Sequence, residues 1–174
     1  MKHWTITNKS SLESMKINFK VILYFIICHL ISYVGISIPF YQFIMKDYYI
    51  GSEAVFSRFL ITEESPILWA NAIQWFFPFQ ILNSILFAIV LVIVWDWFSK
   101  QSYFKGFLFV FWCKGIVGGL ASLSPAPGNI EGALFLIPQI NSQIQLFVCL
   151  ETLLQAAMVS FLFCNVAHWK LISK

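Results

Sequence analysis

Apolar and polar positions along this chain fall into long blocks, not a fine alternation. Four stretches are almost wholly apolar: Phe19 to Tyr41, Ile67 to Trp95, Phe104 to Leu123 and Ile144 to Val166. A helix needs ~20 apolar residues to cross a hydrocarbon core. The pattern therefore predicts an all-α, polytopic integral membrane protein, with four transmembrane helices in a bundle over 19–41, 67–95, 104–123 and 144–166. All belong to one domain over 1–174. The second segment is long enough to tilt, or to break near Pro78. Residues 1–18 form a polar, cytoplasmic N-terminal segment that lies along the membrane surface. The first span reads as a retained anchor, because its apolar run is too long for a signal peptide.

The connections 42–66 and 124–143 are outer loops. In the second, Pro125, Pro127 and the Gly128-Asn129 pair end the third helix and force a turn. A short apolar run, Ala133 to Ile137, follows and closes at Pro138. It is too short to span, so it reads as an interfacial or re-entrant segment before the last helix. Glu131 stands at its start, where a carboxylate suits a helix N-terminus. Asn129 and Glu131 are the candidate outer-loop residues, either capping that turn or serving a lid over an outer opening.

Composition agrees with a lipid environment. Of 174 residues, 59% are hydrophobic and 11% charged, and Phe alone occurs 19 times. A soluble domain carries about 25% charged residues. One of this size buries only ~70% of the surface its unfolded chain exposes. The four cysteines, Cys28, Cys113, Cys149 and Cys164, lie singly in apolar segments and read as small packing residues. No basic run points to nucleic acid.

Charge sets the expected orientation. Lys2, Lys9, Lys16, Lys20, Lys100, Lys105, Lys170 and Lys174 fall on one side, eight in all; Lys46 and Arg58, two, fall on the other. Basic residues favour the cytoplasmic face, which predicts N-in and C-in. The expected location is a bacterial inner membrane, with an organellar membrane as the alternative. The sequon Asn8-Lys9-Ser10 then lies inside and should be silent.

Each span also brings a polar group to a similar depth, counting ~1.5 Å per residue. These are His29 in the first, Gln80 and Asn83 in the second, Lys114 in the third, and Gln155 with Glu151 in the fourth. A charge at the bilayer centre costs ~2.5 kcal/mol or more and needs a partner or a wet cavity. Depth permits Lys114 and Glu151 to pair. Such a pair serves either a site or simply helix register. Small residues offer packing faces: Gly115 with Gly119 on the third helix, Ala156 with Ser160 on the fourth.

Three functions fit. The first is an accessory subunit that acts with other membrane proteins, favoured by small size and small-residue faces. The second is a small ion- or proton-coupled transporter or oligomeric pore, using Lys114 and Glu151 with His29 as relay. The third is a lipid or isoprenoid-like ligand-binding protein, or an enzyme, with a midplane polar pocket. No catalytic signature of the G-x-S-x-G, H-E-x-x-H or phosphate-loop type is present, so the sequence leans against an enzyme. No cofactor and no metal are expected. Partners expected are membrane lipids and another membrane protein or further copies of this chain. A sealed Lys114–Glu151 contact favours the helper; a polar pocket of a few hundred Å³ favours ligand binding or transport.

Overall fold

The computed structural model describes residues 2–52, 54–122 and 124–172, with side chains from residue 14 onward. Among these the chain is helical and carries no strand. Four helices are long and apolar enough to cross a membrane: α1 (Ser14–Tyr49), α2 (Pro66–Ile93), α3 (Tyr103–Leu120) and α4 (Ser142–Ile172).

Local sequence explains how each begins and bends. The helix of α1 reaches back to Lys2 without a break, so the N-terminal segment expected to end at residue 18 is continuous with the first span. No Pro or Gly interrupts it before Gly35. It then widens into π-helical turns at Tyr33–Ser37 and Tyr41–Met45, on either side of Ile38–Phe40. Pro39 supplies the reason. Its ring crowds the carbonyl four residues back and it has no N–H, so a wider turn relieves the clash. In α2, Pro66 sits in the first turn, where its missing N–H costs nothing. Pro78 lies inside that helix, which runs on through it to Ile93. The second half of α3, Trp112–Leu120, is π-helical, and three of its nine residues are Gly115, Gly118 and Gly119. The start of α4 is capped by Asn141, whose Oδ1 accepts from the N–H groups of Gln143 and Ile144 at 3.0 Å each.

The helices pack through antiparallel neighbours. Helix α1 lies between α2 and α4, and α3 packs on α4. Phe25 stacks on Phe87 of α2, with ring centroids 4.8 Å apart, and meets Phe163 of α4 edge-on at 5.3 Å. Tyr33 meets Phe76 of α2 at 4.9 Å. On the other side, a Cβ built at Gly115 would stand 2.9 Å from the Ala156 Cβ, and one at Gly119 would stand 2.5 Å from Thr152 Cγ2. Backbones of α3 and α4 approach there as closely as only glycine allows. Near Lys100 and Lys105, Trp97 reaches Phe109 of α3 at 5.0 Å.

Two apolar clusters hold this arrangement. One, near the chain termini, includes Phe25, Leu91, Phe98, Val110 and Phe163. The other, near the loops, includes Phe40, Met45, Phe56, Ile140 and Ile144. Between them every element except α2's outer side turns polar groups inward. On α1 the interval runs from His29 to Ser37, and on α4 it holds Glu151 and Gln155. The fold thus sandwiches a polar layer between two dry ones.

Candidate functional site

The polar layer divides into three connected groups. In the first, His29 Nε2 lies 3.2 Å from Gln80 Oε1. With that carbonyl oxygen as acceptor, Nε2 carries the proton and Nδ1 is a bare acceptor. His29 is only 1% exposed, and Nδ1 has no hydrogen-bond partner. Ser84 donates to the Gln80 carbonyl at 2.6 Å, which ties down that turn of α2. Asn83 does not join this group. It sits on the exposed side of α2, ~60° round the helix from Gln80 and outward of it.

Glu151 is the centre of the second group. Ser37 of α1 stands near its carboxyl, and Tyr33 and Tyr49 lie within electrostatic reach. His29, Tyr33, Ser37 and Tyr41 are spaced four residues apart. In an α-helix such a row drifts by ~40° per step. The wide turn at Tyr33–Ser37 takes up that drift, which keeps the row along one side of α1. At its loop end, Tyr41 donates to Glu63 Oε1 at 3.0 Å, and the Tyr41 and Tyr49 rings meet at 5.1 Å.

The third group surrounds a cavity of about 250 Å³ between α3 and α4. Lys114, Gly118, Gly119 and Ser122 form one wall, and Thr152 with Gln155 the other. The loop residues Ala126 to Asn129 close the end. The volume equals that of about eight waters at ~30 Å³ each. Glycines make this space: a side chain at Gly119 would meet Thr152.

Lys114 and Glu151 do not pair. Among the described residues the Lys114 ammonium has no hydrogen bond and no ion pair, and Glu151 has no ion pair. Register explains this. Gly115 faces Ala156, which places Lys114 about 9 Å along α4 from Glu151. Glu151 turns toward α1, whereas Lys114 turns into the cavity.

The loop that closes the cavity is built around Asn129, which is buried. Its Nδ2 donates to Ser122 Oγ and to the Ser124 carbonyl, both at 2.7 Å. Its Oδ1 accepts from the N–H of Gly132 at 2.6 Å and of Ala126 at 3.2 Å. Asn129, not Glu131, therefore serves the one-turn helix Gly132–Phe135; Glu131 makes no capping bond. Gln145 of α4 fixes the loop from beneath. Its Oε1 accepts from Gly128 N–H at 2.5 Å and its Nε2 donates to the Gly132 carbonyl at 3.2 Å. Gly128 has φ +83°, and a Cβ there would stand 2.7 Å from the Cys149 nitrogen. Only glycine suits both the conformation and the approach.

Sequence reasoning missed Ser37, Gln145 and Thr152. The four-residue row on α1 was the available signal for Ser37. The others depend on how α3 and its loop meet α4, which no spacing reveals. Ser160, fully buried, donates to the Ala156 carbonyl at 2.6 Å and serves the α4 backbone. Among the described residues no three His, Cys, Asp or Glu side chains gather as a ligand set. No protein-family model, curated protein or solved structure matches this chain.

Proposed function

We propose that this chain is a membrane protein that binds an anionic ligand group in the cavity between α3 and α4. Both termini face the cytoplasm, and the membrane is the inner membrane of a bacterium. The observation that carries the reading is the convergence of free donors on one space. Lys114 has no partner among the described residues, and the Gln155 side-chain nitrogen is buried without one. Ser122 accepts from Asn129 and keeps its own hydroxyl hydrogen to give. Three unsatisfied donors around a polar cavity suit an acceptor-rich anion. A sealed lysine–glutamate contact would have favoured a helper subunit, and that contact is missing.

The ligand is argued by chemistry alone: a phosphate- or carboxylate-type anion, free or carried on a lipid. Two probes separate the sources. Dihexyl phosphate carries one phosphodiester charge on short tails, and dimethyl phosphate carries the same charge without them. Binding is measured by calorimetry on the full chain in phosphatidylcholine nanodiscs, with neutral trihexyl phosphate as control. Lys114→Met should weaken binding by ~1.5–3 kcal/mol, tenfold or more, since a charge-assisted hydrogen bond is lost. Lys105→Met, at an exposed position, should change little. Equal effects of the two substitutions would overturn the reading. Preference for dihexyl over dimethyl phosphate identifies a lipid-borne anion.

A second reading has one observation in its favour. Asn83 is exposed in the middle of α2, and an amide facing hydrocarbon gains by finding a partner on another chain. An accessory subunit or a homo-oligomer would use that face. Disulfide cross-linking through Asn83→Cys in native membranes tests it.

A further inference from the structure

The cavity between α3 and α4 is held shut at its loop end and bare at one side. At the loop end, buried Asn129 bonds to Ser122, Ser124, Ala126 and Gly132. Gln145 ties Gly128 and Gly132 down onto α4. A segment that opens readily has few such bonds. This one is a fixed wall and a poor door.

The side differs. Gly118 lines the cavity, yet it is exposed on the outer surface of α3, between exposed Val117 and Ala121. Gly115 and Gly119 press on Ala156 and Thr152 of α4. A Cβ built at Gly118 would meet only the Cys113 carbonyl oxygen of its own helix, at 3.3 Å. Among the described residues, nothing from α4 or the loop comes within 4 Å of that point. The missing side chain leaves a window. Gly118 belongs to the apolar span Tyr103–Leu120, near its loop end, so the window looks onto lipid.

A polar recess that opens on hydrocarbon is unfavourable while its donors have no water to bond. A molecule polar at one end and apolar at the other resolves that conflict. Size decides which end goes in. The cavity, about 250 Å³, has room for about eight waters at ~30 Å³ each. A phosphate and its nearest atoms fit there, and long acyl chains do not. Lys114, four residues deeper than Gly118, and the buried Gln155 nitrogen supply donors for the anion.

We propose that the anion is the head group of a phospholipid, which enters sideways at Gly118 and leaves its acyl chains in the leaflet on the loop side. This inference rests on the anion-binding reading of the cavity, and it commits that reading to a lipid.

The test uses the full chain in phosphatidylcholine nanodiscs with a minor share of phosphatidylglycerol, a singly charged phosphodiester. Native mass spectrometry should find phosphatidylglycerol retained in preference to phosphatidylcholine. Lys114→Met should abolish the preference. Gly118→Phe, which lays a ring across the window, should abolish it as well, whereas Val117→Phe on the exposed neighbour should keep it. Should Gly118→Phe fail to fold, cross-linking on the native sequence decides. Phosphatidylglycerol with a diazirine near the top of one tail should label residues 117–121, and Lys114→Met should remove that labelling. Preference unchanged in a folded Gly118→Phe, or labelling elsewhere or indifferent to Lys114→Met, would overturn the side entry. No preference for phosphatidylglycerol, with Lys114-dependent binding of dimethyl phosphate intact, would overturn the lipid assignment and leave the anion site standing. Absence of both would overturn the cavity reading and this inference together.

Discussion

Lys114 and Glu151, a lysine and a carboxylic acid deep in the spanning helices, stand about 9 Å apart along α4 and share no ion pair among the described residues. Each answers the cost of burial separately. Lys114 faces a cavity with room for water, and Glu151 does not line it. Their contributions to folding should therefore be independent. Stabilities of Lys114→Met, Glu151→Gln and the double variant, measured by unfolding in mild detergent without ligand, should add within ~0.5 kcal/mol. A recovery of stability in the double variant would show that the two are partners after all.

Close approach of α3 and α4 gives a second expectation. Gly115→Leu puts a side chain where a Cβ alone is 2.9 Å from Ala156, and Gly119→Leu does so 2.5 Å from Thr152. Overpacking of this kind costs ~1–3 kcal/mol. Ser160→Leu, at a fully buried position, should fall in the same range. Ile93 is 76% exposed at the end of α2. Ile93→Ala should change detergent stability by no more than ~0.5 kcal/mol. Equal losses at all four positions would contradict the packing described.

The four spans were legible because lipid demands long apolar runs, and a run of that length has few other uses. The polar residues were legible one at a time for the same reason. Their grouping was not. His29, Gln80, Lys114, Glu151 and Gln155 looked like one cluster because depth counts only the helix axis. Which side each faces depends on phase, and phase along α1 and α3 is altered by the π-helical turns at Tyr33–Ser37 and Trp112–Leu120. Gly35, Pro39 and the α3 glycines hint at such turns without locating them. The role of Asn129 was half legible. Its place after Pro125, Pro127 and Gly128 marked a turn, but its five hydrogen-bonding contacts with 122, 124, 126 and 132 exist only once the loop has folded on α4.

Loss of that knot should be local. Asn129→Ala leaves the N–H groups of Ala126 and Gly132 without their acceptor, at ~1–3 kcal/mol for the buried Gly132 and less for the exposed Ala126. Hydrogen exchange should speed up over residues 124–132 and stay unchanged across the Phe25–Phe87–Phe163 contact. Asn129→Asp keeps the acceptor and loses the donor to Ser122 and Ser124, so its effect should be smaller. Uniform loss of protection through all four helices would mean that the loop carries the fold and does not merely close the cavity.

Orientation gives the last expectation, and it bears on where the ligand enters. Eight basic residues lie at the end shared by the termini and the 94–102 connection, two at the other. The bias should place the termini in the cytoplasm. The cavity closes at Ala126 to Asn129, beyond the lysine, so its loop end would then face outward, as would the Glu63–Tyr41 end of the hydroxyl row. Single cysteines at His3 and Ile172 should resist an impermeant maleimide in intact cells and react after lysis, while a cysteine at exposed Ser52 should react at once. Labelling of His3→Cys or Ile172→Cys in intact cells would invert the topology and turn the loop end of the cavity to the cytoplasm.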